Sequence, residues 1–94
     1  MKLAWLPTAL TDRASIVRLI AKDSPRAARE QGDRIRNQAI NLRDHPEMGR
    51  SGRLPRAREL VIGGTPFLVI YRIGQQQVEI LRVIHGAQQW PPKR

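Results

Sequence analysis

Cysteine is absent from the chain, which excludes a disulfide framework and any zinc site built on thiolates. Aromatic side chains are scarce, with two Trp, one Tyr and one Phe, so a core must be assembled from Ile, Leu, Val and Ala. Acids are also few: eight Asp and Glu stand against seventeen Lys and Arg, a formal net charge of +9. No stretch approaches the ~20 apolar residues of a membrane span. The start, Met1-Lys2-Leu3-Ala4-Trp5-Leu6-Pro7, lacks the apolar run and small-residue cleavage site of a signal peptide and reads as a first strand. His45 and His85 stand far apart without metal-ligand spacing, so no metal and no cofactor is expected. These absences leave a cytoplasmic chain without a membrane partner. Its 94 residues make one domain, 1–94, with a real but modest core.

What is present is arginine. Only Lys2, Lys22 and Lys93 among the basic residues are lysines. A guanidinium is a planar fork whose donors match phosphate and carboxylate in pairs. Charge this unbalanced repels itself in the folded state. It therefore points to nucleic acid, an anionic surface or an acidic protein as partner more than to a merely solubilised surface.

Apolar periodicity places the elements. Leu3 to Leu6 is a short strand stopped by Pro7. From Thr8 to Lys22, Ala9, Leu10, Ile16, Leu19 and Ile20 recur at helical spacing. Ser24 is a good N-cap and Pro25 is preorganised for a first helical position, so a second helix begins there and runs to about Arg43. Its stripe is Ala28, Ile35, Ala39 and Leu42. Two helices joined so tightly form a helical hairpin. Pro46 to Pro55 is a loop with two glycines. Arg58–Ile62, Phe67–Arg72 and Val78–Ile84 are strands separated by short turns, an antiparallel meander. The expected class is α+β, in the order β-α-α-β-β-β: an antiparallel four-stranded sheet with a helical hairpin packed on one face. Alternation puts Val78, Ile80, Arg82 and Ile84 on one face of the last strand and Glu79, Leu81, Val83 and His85 on the other. The face away from the helices is then an apolar floor from which polar side chains project. Gln88 to Arg94 reads as an irregular tail.

Four arginines, Arg50, Arg53, Arg56 and Arg58, fall within nine residues with no acid among them, leading into a strand. Such a loop can bring several guanidinium groups onto one phosphodiester; the alternative is a solvated basic loop. His85 closes the last strand, and imidazole suits proton transfer at neutral pH, although a lone His at a strand end is more often structural. Tyr71 can stack or donate, or simply fill the sheet. Trp90 in a polar tail either docks back as a core plug or stacks on a base.

The segments Gly52-Arg53-Leu54-Pro55, Arg58-Glu59-Leu60-Val61-Ile62, Gly64-Thr65-Pro66-Phe67, Tyr71-Arg72, Val78 through Ala87 and Trp90-Pro91 resemble the RelE/ParE toxin superfamily. Trp5, Ala9, Asp12-Arg13, Ile16, Ile20-Ala21 and Ser24-Pro25 with Ala27-Ala28 resemble its two helices, so the likeness covers nearly the whole chain. It implies the toxin of a type II toxin–antitoxin pair, held by a cognate antitoxin whose contacting segment is acidic. Two activities occur in the superfamily. RelE-like members cleave mRNA, usually on the ribosome, and ParE-like members inhibit DNA gyrase without acting as nucleases. Metal-independent RNA cleavage must activate the 2′-OH, stabilise the phosphate charge and protonate the leaving oxygen. Matched to the nuclease pattern, Arg58, Arg82, His85 and Tyr71 are the catalytic candidates, and Arg50, Arg53, Arg56 and Trp90 the RNA- and phosphate-binding ones. Close relatives often carry Arg after Gly-Ala, where this chain has Gln88-Gln89. The Gly86-Ala87…Trp90-Pro91 ending is unlike the Met-containing tail of gyrase-directed members. On that ending the expected activity is an mRNA interferase, an endoribonuclease, with gyrase inhibition as the alternative.

Overall fold

A computed structural model describes residues 1–92; Lys93 and Arg94, the end of the tail, lie outside the described residues. Strand β1 is Lys2–Trp5, followed by helix α1, Pro7–Ala21, and helix α2, Pro25–Ala39. A 3-10 turn, Ile40–Arg43, leads to β2 Arg50–Ser51, β3 Arg58–Val61, β4 Phe67–Ile73 and β5 Gln77–His85. Helix α2 starts as the sequence dictates: the Ser24 hydroxyl accepts from the Ala27 N–H at 3.1 Å, with Pro25 in the first turn.

The α+β class holds, with two changes to the sheet. It has five strands in the order β1-β5-β4-β3-β2. The added strand, β2, comes from the arginine loop, where Arg50 pairs with Glu59 and Ser51 with Arg58. The sheet is also not wholly antiparallel, because β1 runs parallel to β5, Leu3 beside Val78 and Trp5 beside Ile80. The helical hairpin carries the chain from β1 at one edge of the sheet to β2 at the other, and the meander returns β5 to lie beside β1.

Ala9, Ile35, Ala39 and Leu42 from the helical segment pack against Leu60, Ile62, Val69, Tyr71, Val78 and Ile80 of the sheet. Fully burying an aliphatic side chain of this kind contributes about 1.5–3 kcal/mol. The opposite face is not a bare floor. Ala57, Leu68, Ile70 and Ile84 form a second, smaller core there, covered by Leu54 from the loop before β3 and by Trp90 from the tail.

The strict alternation expected along β5 fails at one point. Ile70 pairs with Arg82, but the next residue, Tyr71, pairs with Ile80, so Leu81 is an extra residue bulged out of the ladder. Val83 therefore joins Val78 and Ile80 in the helix-side core, while Ile84 joins the other one. The bulge changes which side chains Arg82 and His85 can meet.

Candidate functional site

The arginine loop folds around an acid that sequence reasoning missed. Glu59 follows Arg58 directly and is only 2% exposed. Its carboxylate accepts from Arg50 Nη2 at 3.3 Å, Arg53 Nη2 at 3.4 Å and the Arg53 backbone N–H at 3.1 Å. Burial alone would raise its pKa, but the Arg53 N–H and the two guanidinium groups together outweigh burial and hold it below the ordinary carboxylate value. Arg53 also donates to the Trp90 carbonyl at 3.1 Å, tying the tail to the loop. Arg56 alone of the four projects freely, from a backbone at φ 64°, with no ion pair among the described residues. A single acid inside an otherwise apolar strand, next to an arginine run, was the available sign of this arrangement.

Arg58 and Tyr71 are cross-strand partners, and both reach the same loop. Arg58 donates through Nε and Nη2 to the Gly49 carbonyl at 3.0 and 2.6 Å, and through Nη2 to the Glu47 carbonyl at 3.0 Å. The Tyr71 hydroxyl donates to the Pro46 carbonyl at 2.7 Å and accepts from the Gly49 N–H at 2.8 Å. Tyr71 is fully buried. A Cβ on Gly49 would sit 2.6 Å from the Tyr71 oxygen, so only glycine fits this approach. These contacts fasten the loop that carries the chain from the helices to β2.

Arg82 is held at the other end of the sheet. Past Trp5, β1 gives way to α1, leaving the outer edge of β5 without a strand partner. Asp12 of α1 fills that gap. It accepts from Arg82 Nε at 2.6 Å, Arg82 Nη2 at 3.2 Å and the Val83 N–H at 2.9 Å. The Asp12 bond raises the Arg82 pKa, outweighing partial burial. The same guanidinium lies 5.5 Å from the Trp90 ring centre. Trp90 packs with the second core. His85 is exposed; its ring meets Phe67 edge-on at 5.6 Å, and its Nδ1 accepts from the Ala87 N–H at 2.9 Å. In the neutral ring the proton therefore sits on Nε2, which makes no hydrogen bond among the described residues.

The four catalytic candidates are not assembled as one group. On β4 the Arg58 partner is Tyr71 and the His85 partner is Phe67, four residues or about 13 Å apart along the strand. What the fold does bring together is Arg82 and His85, in a groove of about 300 Å³ between β5 and α1 that Asp12, Ile16 and Leu19 also line. Leu19 is 65% exposed. The groove thus combines an apolar helix face, a neutralised arginine and one imidazole. No group of acids and histidines among the described residues is suited to a metal ion. No described helix is long and apolar enough to cross a membrane.

Residues 3–90 match the family described as the ParE toxin of type II toxin–antitoxin system, parDE. The chain belongs to this family, within the RelE/ParE superfamily, and is the toxin of a type II toxin–antitoxin system. It is 40% identical over 90 residues to Y4kP, a protein of Sinorhizobium fredii named as a candidate toxin, covering 96% of this chain and 93% of that one. It is 33% identical over 86 residues to Toxin RelE2 of Caulobacter vibrioides, covering 92% of this chain and 96% of the relative. A solved chain of the chromosomal ParDE system from P. aeruginosa superposes with a TM-score of 0.81 at 25% identity, over 90% of this chain and 95% of that one. Membership implies a cognate antitoxin as partner.

Proposed function

We propose that this toxin arrests growth by binding and blocking a macromolecular target, DNA gyrase, in the manner of ParE-like toxins, and that it does not cleave RNA. One observation carries the reading: the groups that nucleolytic cleavage would recruit are committed elsewhere. Arg58 and Tyr71 fasten a loop, Arg82 is neutralised by Asp12, and Asp12, the carboxylate that shares the groove with His85, is itself bound by Arg82 and the Val83 N–H. Cleavage through the 2′-OH needs an acid and a base on opposite sides of the phosphate and an uncompensated cation over it. A protein-binding inhibitor needs only a surface. The groove offers one, with exposed Leu19, half-buried Ile16 and the rim of Arg82 and His85. The excess positive charge also supports an antitoxin whose contacting segment is acidic, engaging arginines without an ion pair among the described residues, such as Arg56.

One observation favours the RNA-cleaving reading, the shared groove of Arg82 and His85. The two separate cleanly. Purified toxin added to a gyrase supercoiling reaction is expected to block conversion of relaxed plasmid. Added to a translating ribosome reaction, it is expected to leave mRNA full-length. His85→Ala is expected to keep growth arrest. Truncated mRNAs with 2′,3′-cyclic phosphate ends, abolished in His85→Ala, would overturn the proposal and make His85 a catalytic residue.

A further inference from the structure

The helical hairpin carries a second groove, on a different face of α1 from the one above and unused by the proposed mechanism. It lies between α1 and α2, with a volume of about 260 Å³. Arg13, Arg29 and Arg36 surround it, and Val17, Ala28 and Gly32 form its floor. The floor is shallow because the helices approach closely: a Cβ on Gly32 would lie 3.2 Å from Val17 Cγ2. That approach brings Arg13 of α1 to the same cleft as the two arginines of α2.

Each arginine is placed to be used. The Arg13 guanidinium stacks 4.4 Å from the Trp5 ring centre, which fixes its plane while leaving its donors unclaimed by any acid among the described residues. Arg29 is exposed and has no ion pair among the described residues. Arg36 meets Asp33 at 3.3 Å, with 62% and 60% of the two side chains exposed. A pair that exposed is worth little and exchanges readily for another anion. Asp33 is the one acid on the groove.

We infer that this groove seats the phosphate backbone of duplex DNA without reading its sequence. Two features suit the groove to a phosphodiester backbone. The cations are all arginine, whose fork matches phosphate oxygens in pairs. The floor is helix surface built from small apolar residues, with no strand edge to which a peptide backbone could bond. The proposal goes beyond gyrase inhibition and stands apart from it, since it concerns the isolated protein and DNA alone.

The test is binding of purified toxin to a short labelled duplex of arbitrary sequence, followed by fluorescence anisotropy as salt is raised. Each phosphate neutralised contributes about −0.9 to the slope of log affinity against log salt. Removing two cations with R13Q and R29Q is expected to shrink the affinity loss between about 50 and about 200 mM salt by about 12-fold. The paired control, R18Q with R26Q, removes the same charge from the same helices outside the groove and is expected to leave the slope near that of the wild type. Should the first pair unfold the protein, R29Q alone, at an exposed position, is expected to show about half the change in slope. Equal losses in both pairs would mean that net charge binds DNA and the groove does not, overturning the inference. So would failure of the wild type to bind at low salt, or tighter binding of polyglutamate than of duplex through Arg13 and Arg29. Gyrase inhibition that survives in a variant without DNA binding would leave the proposed function standing and separate the two surfaces.

Discussion

Replacing Tyr71 by Phe separates a structural tyrosine from a catalytic one. The ring is fully buried and Phe keeps its shape, so packing in the helix-side core is retained. What is lost is one oxygen with two partners, the Pro46 carbonyl at 2.7 Å and the Gly49 N–H at 2.8 Å. Gly49 is itself buried, and a Cβ there would meet the Glu59 carbonyl at 2.9 Å, so water has little room to replace the hydroxyl. Two neutral hydrogen bonds of this kind contribute about 1 kcal/mol each, and leaving their partners unpaired sets a total near 2 kcal/mol. For a domain of this size each kcal/mol shifts Tm by about 4–8 °C, so Tyr71→Phe is expected to melt roughly 10 °C lower than the wild type. Thermal denaturation followed by circular dichroism measures this directly. Growth arrest on induction at a temperature well below both transitions is expected to be unchanged. The opposite pattern, an unaltered Tm with toxicity abolished, would refute the reasoning and return Tyr71 to the chemistry.

Glu59→Gln is expected to destabilise by about 2–3 kcal/mol, because a buried carboxylate that accepts from two guanidinium groups is replaced by a neutral amide. The lowered pKa of Glu59 gives the sign of its pH dependence. Between its folded and unfolded pKa values the unfolded chain binds the proton and the native chain does not, so this stabilisation is present above about pH 4.3 and is lost as pH falls through the folded value. Acid titration of Tm is expected to show that loss in the wild type and not in Glu59→Gln. Asp12→Asn is expected to loosen the far end of β5, read as faster hydrogen exchange at the Val83 amide, which donates to that carboxylate; unchanged exchange would mean that the Arg82–Asp12 pair does not hold the edge. Moderate salt is expected to raise the Tm of the free toxin by screening its +9 charge, and a lower Tm would show that its ion pairs outweigh the repulsion.

Much of the scaffold could be read from local chemistry. Ser24-Pro25 announces α2, the apolar stripe ending at Leu42 marks its inner face, and the runs around Leu60, Val69 and Ile80 are strands because β-branched and large apolar residues cluster between turn signals. Direction is different: nothing in the pattern of Leu3-Ala4-Trp5 distinguishes a parallel from an antiparallel neighbour, and β2 is two polar residues with no alternation to detect. The Leu81 bulge was hidden because β5 is apolar on both faces, so a slip in phase exchanges one apolar set for another. The same ambiguity put Arg82 in the wrong company. Its partner Asp12 is 70 residues away, a separation that only the folded chain closes. Glu59 and Tyr71 belong to the same category: each looks like a sheet residue until the loop from Pro46 to Arg53 is seen to return over it.

Charge in this toxin is divided between two tasks. Five of the eight acids, Asp12, Glu30, Asp33, Glu59 and Glu79, meet arginines among the described residues. The buried or half-buried pairs sit where backbone would otherwise lack a partner: Asp12 at the open edge of β5, Glu59 inside the loop that becomes β2. These buried and half-buried acids are fixing local structure, Arg58 is bonded to carbonyls, and Arg13, Arg18, Arg29, Arg34, Arg43 and Arg56 are left without ion pairs among the described residues. A small core cannot offset much self-repulsion, so the fold tolerates this surplus at the expense of stability. A partner that brings acids to those arginines binds the native chain alone and shifts the folding equilibrium by mass action. If the cognate antitoxin brings acids to those arginines, as proposed above, it stabilises the toxin as well as covering it, and a higher Tm for the complex than for the free toxin is the expected outcome.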